Sequence, residues 1–342
     1  MKLITLVAFV ILGVFGVENA SAQLCTGKLN VCNLDSSNPP TPDQKYPKYN
    51  APVCLPPPVD PNEQKKLADA KKLLEDACNL APASVQQDIL TVTRIHIVQN
   101  PNGLPDDWGY WESKRKRAPT DPTSGSSYIG LLAKGITDQD KLSTQEQNLM
   151  KKLVLSMTNN DILKDAVTVT VKPVGSDSQE LAVLARIAHE VAHIKYYKQR
   201  IDKTSCFFDP ANGKSKFMDV SWDQTHLTKW RGEYFTDFGK DATTRHLPVT
   251  NIPHLDNTIT TTTEVYNVVR DGSFVSLFAS VRPDEDFVET YKFFALKNKV
   301  TDYAIEFGSG TSMAKAVIIE NNKWKGAGVR DKVNCVQGLP HM

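Results

Sequence analysis

From residue 62 onward apolar side chains recur at two different periods, and the change from one to the other predicts mixed helices and strands. In 62–80 (NEQKKLADAKKLLEDACNL), Leu67, Ala70, Leu74 and Cys78 stand three and four apart, the spacing that lines one face of a helix. Residues 89–98 (ILTVTRIHIV) alternate apolar with polar positions and read as a strand, and 166–174 (AVTVTVKPV) reads as a second strand by its β-branched residues. A helix is expected near 144–157, and the polar stretch 99–127, broken by proline and glycine, reads as loop. Strands mixed with long helices point to an α+β fold.

Two helices in the C-terminal half carry the chemistry. Ser176 with Gln179 and Asp177 with Glu180 form overlapping capping boxes, and an apolar face of Leu181, Leu184, Ile187, Ala188, Val191 and Ile194 then runs to about Arg200. HEVAH, residues 189–193, falls in the middle of this helix. Residues four apart share a face, so His189 and His193 can each turn a ring nitrogen to one metal ion. Glu190 sits about 100° round the helix, where it can approach a metal-bound water without being a ligand. Zinc chemistry needs this pattern: two histidines hold the ion, the ion acidifies a water, and the glutamate takes its proton as general base. The plainer alternative is a pair of helix histidines making ordinary hydrogen bonds.

Catalytic zinc keeps three protein ligands and one open position, so a third ligand decides between these readings. A metzincin pattern is excluded, because Tyr196 and Gln199 occupy the positions that would need glycine and histidine. His226, His246 and His254 follow in loop-like sequence, in no recognisable frame. A stronger candidate lies in 281–300 (VRPDEDFVETYKFFALKNKV), where Pro283 suits a first helical position and Asp284, Glu285 and Asp286 fill the first turn. Phe287, Tyr291 and Phe294 form an apolar stripe, while Glu285 and Glu289, four apart, share another side. One carboxylate can ligate zinc while the other orients a ligating histidine through its second nitrogen. An acidic turn that only caps its own helix is the competing explanation, and Asp284 and Asp286 compete with Glu285 as ligand.

HEVAH followed by a helix carrying EDFVE resembles the gluzincin metallopeptidases with a second motif E-x-F-x-E, the group of lethal-factor-like and Pro-Pro endopeptidase-like enzymes. The resemblance covers two short segments and nothing in the first 175 residues. It implies a zincin-like catalytic domain that hydrolyses peptide bonds with one zinc ion, held by His189, His193 and Glu285. Glu190 would then be the base and Glu289 the residue that orients a ligating histidine. Enzymes of this group often carry a tyrosine seven positions before the ligand glutamate, whose hydroxyl stabilises the oxyanion. Position 278 is Phe278, so that role would fall to Tyr266, Tyr291, Tyr196 or His254, or the activity would be weak, or the zinc site would serve binding without turnover. A peptide substrate would lie extended along a strand edge, with 166–171 or 89–98 as the candidates.

The N-terminus changes the picture of where this happens. Lys2, an apolar run from Leu3 to Val17 and Ala20-Ser21-Ala22 match a secretory signal peptide over residues 1–22, cleaved after Ala22. Residues 23–61 form an extended Pro/Cys-rich segment, and 62–342 the catalytic domain, with an N-terminal part at 62–165 and a catalytic part at 166–342. All six cysteines follow the signal peptide, which favours disulfides in a secreted or periplasmic protein, some of them tying the N-terminal segment to the body. No segment after the signal peptide is long and apolar enough to span a membrane.

Composition adds mostly exclusions. The 342 residues are 40% hydrophobic and 23% charged, with 40 basic and 39 acidic side chains giving a net charge of +1. Nothing in that balance asks for nucleic acid or an anionic membrane, so a partner must be argued from the site, and there the resemblance implies a protein or peptide substrate. The basic run Lys114-Arg115-Lys116-Arg117 reads as a solvated face. GSGTSMAKA, residues 308–316, is similar to the segment around the nucleophilic serine of subtilases, but their aspartate and histidine motifs are missing upstream. It reads as a loop capping a last helix at about 312–323.

Overall fold

The computed structural model of the protein describes residues 23–34, 54–98, 109–113, 127–133, 136, 141–158, 161–202, 206, 216–221, 266, 269, 273–280, 283–308 and 314–342. The expected signal peptide at 1–22, the basic run 114–117, Ser312 and His226, His246 and His254 lie outside these residues, as does 35–53 of the Pro/Cys-rich segment.

Helix α1 (Pro61–Leu80) starts where the proline-rich segment ends. The Asp60 carboxylate accepts from the backbone N–H groups of Asn62 (2.7 Å) and Glu63 (3.1 Å), and Pro61 fills a first-turn position that needs no donor. The strand expected at 89–98 divides. Its first residues belong to α2 (Ala83–Leu90), and strand β2 is Arg94–Val98. Val85 and Ile89, four apart, are both buried on α2, so a helical period overlaps the start of the alternating one.

The first sheet has the order β1-β2-β4-β3, formed by β1 (Val31–Leu34), β2, β3 (Gly109–Ser113) and β4 (Ser127–Leu132). β2 is parallel to β1 and β4, whereas β3 is antiparallel to β4 at the sheet's edge. β3 lies within 99–127, expected to be loop; five residues between proline- and glycine-rich flanks give too short a period to read. β2 is an interior strand, which removes 89–98 as a peptide-binding edge.

Next come α3 (Leu142–Thr158), α4 (Asp161–Asp165), β5 (Val167–Pro173) and the 24-residue α5 (Gln179–Asp202) that carries HEVAH. Asp177 does not cap α5 as its spacing suggested. Its carboxylate accepts from the backbone N–H groups of Leu142 (2.9 Å) and Ser143 (3.2 Å), and so caps α3 instead. Two single 3₁₀ turns, Met218–Val220 and Phe278–Ser280, precede α6 (Pro283–Ala295).

The second sheet is antiparallel, β5-β6-β7-β8, with β6 (Val300–Phe307), β7 (Ala314–Glu320) and β8 (Lys323–Trp324). The helix expected at 312–323 is therefore a hairpin. Asn321 and Asn322 both have positive φ, +50° and +59°, and turn β7 into β8. The last helix is α7 (Ala327–Gly338).

The chain is thus mixed α and β, with seven helices and two sheets among the described residues. Helix α5 runs through the middle: Leu181–Ala185, Ile187, Ala188, Val191, Ala192 and Ile194 are all buried. It packs on α6, α1, α2, α3, β3 and β4, which is why it is apolar nearly all round. Cys25–Cys78 ties the N-terminal segment to α1, Cys32–Cys54 closes that segment on itself, and Cys206–Cys335 joins the chain beyond α5 to α7.

Candidate metal centre

The packing of α5 on α6 brings the two sequence motifs together. His189 Nε2 stands 3.7 Å from one oxygen of Glu285, and His193 Nε2 stands 3.7 Å from the other. The imidazoles face each other edge to plane at 80°, with 5.0 Å between centroids. One ligand atom from each of His189, His193 and Glu285 lies within 4.8 Å of the others. Tetrahedral zinc with bonds of about 2.0–2.1 Å puts its ligand atoms roughly 3.3 Å apart, and the 3.7 Å separation of each histidine nitrogen from its nearer Glu285 oxygen approaches that spacing. Two imidazoles and a carboxylate are also a donor set that suits zinc.

Of the three acids opening α6, Glu285 alone joins this cluster. Asp286 turns to the fully buried Lys332 of α7, whose Nζ lies 2.5 Å from its carboxylate and 2.6 Å from Ser221 Oγ. Burial lowers the Lys332 pKa although Asp286 acts to raise it. Adjacent acids thus do unrelated work: one faces the histidines, the other anchors α6 to α7.

Glu289 lies behind His189, its Oε1 3.0 Å from Nδ1. The other carboxylate oxygen accepts from Ser276 Oγ (2.6 Å) and Lys292 Nζ (2.8 Å). This arrangement leaves His189 Nε2 turned toward Glu285. Burial would raise the Glu289 pKa, but Lys292 and His189 hold it down at about 2. Burial likewise opposes a charge on His189, yet the Glu289 hydrogen bond and the charges of Glu285 and Glu190 raise its pKa to about 9. Three carboxylates therefore favour positive charge at this spot, the electrostatic condition for a cation site. Glu190 is buried, and burial lifts its pKa to about 7 against the pull of His189, with Glu285 adding to the rise.

Phe278 lies flat on His189, its ring centroid 5.5 Å away and the planes 5° apart. The turn that carries it is held by Ser276 Oγ, which also accepts from Ala279 N at 3.1 Å. The alternative oxyanion donors among the described residues each contact a side chain outside the cluster. The Tyr291 hydroxyl donates to Asp88 at 2.7 Å in the core, which rules it out, since the group is engaged and fully buried. Tyr196 packs on Phe287, Tyr266 packs edge-on against Phe307 of β6, and His254 is outside the described residues.

Sequence reasoning missed Ser276, Lys292 and Glu146. Lys292 follows Glu289 by three, so their shared helix face was legible; Glu146 comes from α3, and its approach depends on the tertiary fold. Cys32, Cys54 and His96 also cluster closely enough for a metal, but the two sulfurs are joined in a disulfide and offer no thiolate.

No model of a known family, no curated protein and no solved structure matches the chain.

Proposed function

We propose that the protein is an exported zinc-dependent endopeptidase with a zincin-like catalytic domain, in which His189, His193 and Glu285 hold one zinc ion. The observation that carries this reading is the convergence of these three side chains from two helices, with Glu190 buried beside them and Glu289 bonded to His189 Nδ1. Zinc in such a site supplies Lewis acidity that lowers the pKa of water to about 7 and polarises a carbonyl. Glu190 takes the proton of the attacking water and returns it to the leaving amine. Glu289 holds His189 in the tautomer whose Nε2 lone pair faces the ion. An extended peptide pairs with the outer edge of β3, which is bonded to β4 on its other side and packs on α5. β5 also stands at a sheet edge, but Gln147 of α3 already bonds to its Val167 carbonyl and Val169 N–H there.

Export is supported by the signal-like residues 1–22 and by the pairing of all six cysteines in disulfides. No helix among the described residues is long and apolar enough to cross a membrane.

A second reading, a zinc-binding module without turnover, is favoured by one feature, the Phe278 ring that covers His189 without offering a hydroxyl. Metal analysis and cleavage of an unstructured protein substrate separate the possibilities. Wild type is expected to carry one zinc per chain and to hydrolyse the substrate, and Glu190→Gln to keep the zinc and lose hydrolysis. Zinc without hydrolysis in wild type favours the binding module. Unchanged zinc content in His189→Ala removes the metal centre and both readings with it.

A further inference from the structure

We infer that Lys292 and Glu146 are positioning residues of the metal centre, acting through Glu289 on His189; this rests on the reading of His189, His193 and Glu285 as a zinc site. Lys292 is buried on α6 and divides its ammonium between two carboxylates, Glu289 (2.8 Å) on its own helix and Glu146 (3.0 Å) on α3. Glu146 is buried in turn, and its second oxygen accepts from the Tyr303 hydroxyl of β6 at 3.3 Å. A continuous line of polar contacts therefore runs from His189 on α5 through α6 to α3 and the second sheet.

The geometry at Glu289 gives this line its purpose. Lys292 and Ser276 both bond to Oε2, which leaves Oε1 to His189 Nδ1. A carboxylate held at one oxygen by two donors cannot swing about its χ3 bond, and the imidazole it faces is held with it. Glu146 keeps the ammonium in place from the far side, where a lysine held by Glu289 alone would have three donors and one partner. α3, which supplies no ligand, thereby becomes part of the site.

Charge and position make opposite demands, and that separates a positioning role from a plain one. Removing the Lys292 cation near a divalent ion would tighten zinc by Coulomb attraction alone, whereas loss of positioning weakens it. A paired replacement, Lys292→Met with Glu146→Leu, leaves the net charge unchanged and substitutes an apolar pair for the buried ions, an exchange cores often accept.

The test measures zinc affinity by chelator competition, and the visible absorption of the cobalt-substituted protein, for wild type, Lys292→Met, Lys292→Met/Glu146→Leu, Glu289→Gln and the triple variant. The paired variant is expected to bind zinc about 10–100-fold more weakly, with a shifted cobalt band. In the Glu289→Gln background the same pair of changes is expected to add less than about twofold, because the path through Glu289 is already cut. Wild-type affinity and spectrum in the paired variant overturn the inference, as does an equal loss with and without Glu289. Should Lys292→Met fail to fold, the paired variant still decides. Absence of stoichiometric zinc from wild type overturns the underlying zinc reading, an outcome distinct from either of these.

Discussion

The Phe278 ring and the His189 imidazole lie parallel to within 5°, 5.5 Å apart. An aromatic residue without a donor thus covers one face of a candidate ligand histidine. Phe278→Tyr adds a hydroxyl with little change in packing, and is expected to raise kcat by about tenfold or more, in line with the worth of an oxyanion donor. Zinc affinity should stay within about twofold, since the ring keeps its contact with His189. A kcat identical to wild type would show that the missing hydroxyl is not what limits turnover.

Glu285 and Asp286 are neighbours with separate duties, and their variants should fail differently. Glu285→Gln is expected to lose zinc while the urea midpoint of the metal-free protein changes little. Asp286→Ala leaves Lys332 buried without its counter-charge, and should cost about 3–5 kcal/mol of stability. Zinc stoichiometry in whatever fraction stays folded should survive. Paired urea titrations and metal analyses check both halves, and zinc loss in both variants would contradict the division.

His96, buried in β2 and stacked on Tyr128, has its pKa lowered to about 4 by burial and by the nearby Arg94 charge. In the unfolded chain it titrates near 6.5, so below that pH the unfolded state gains a proton that the folded state refuses. Stability therefore falls as pH drops from about 6.5 to about 4, and His96 accounts for about 2–3 kcal/mol of the loss between pH 7 and 4.5. His96→Gln should lack that part of the acid sensitivity. Urea unfolding of both proteins at the two pH values measures it, and parallel losses would rule it out.

Cys206 and Cys335 are 129 residues apart, the longest span among the three disulfides. Closing so long a loop restrains the unfolded chain by up to about 5 kcal/mol on the chain-entropy account. Cys206→Ser/Cys335→Ser is expected to lower the unfolding midpoint more than Cys32→Ser/Cys54→Ser, whose span is 22. Equal shifts in thermal scans of the two variants would go against this order.

The helices that carry the candidate metal ligands were legible because their signals are local. Pro283 with three acids marks the start of α6, and a four-residue spacing fixes which side His189 and His193 share. The same local spacing misled at Asp177, whose carboxylate found the N-terminus of α3 rather than its own helix. Ile89 and Leu90 belonged to a helical period that the alternation of the following residues concealed, and the Asn321-Asn322 turn was hidden behind a serine-containing motif of apparent significance. Glu146 could not be found at all, because it meets Lys292 across 146 residues of chain. Periodicity reports what a segment prefers, whereas partners of buried charges are chosen by the packed whole.

Asp88 extends that lesson to the candidate metal centre itself. From α2 its carboxylate receives Lys195, two residues after His193, at 2.6 Å, and Tyr291, six residues after Glu285, at 2.7 Å. One side chain thus bonds to both helices that carry the candidate ligands. A scan for variants that lose zinc would accordingly return Asp88 alongside His189 and Glu285. The map of functional loss on this protein should trace the helix pair rather than outline a pocket.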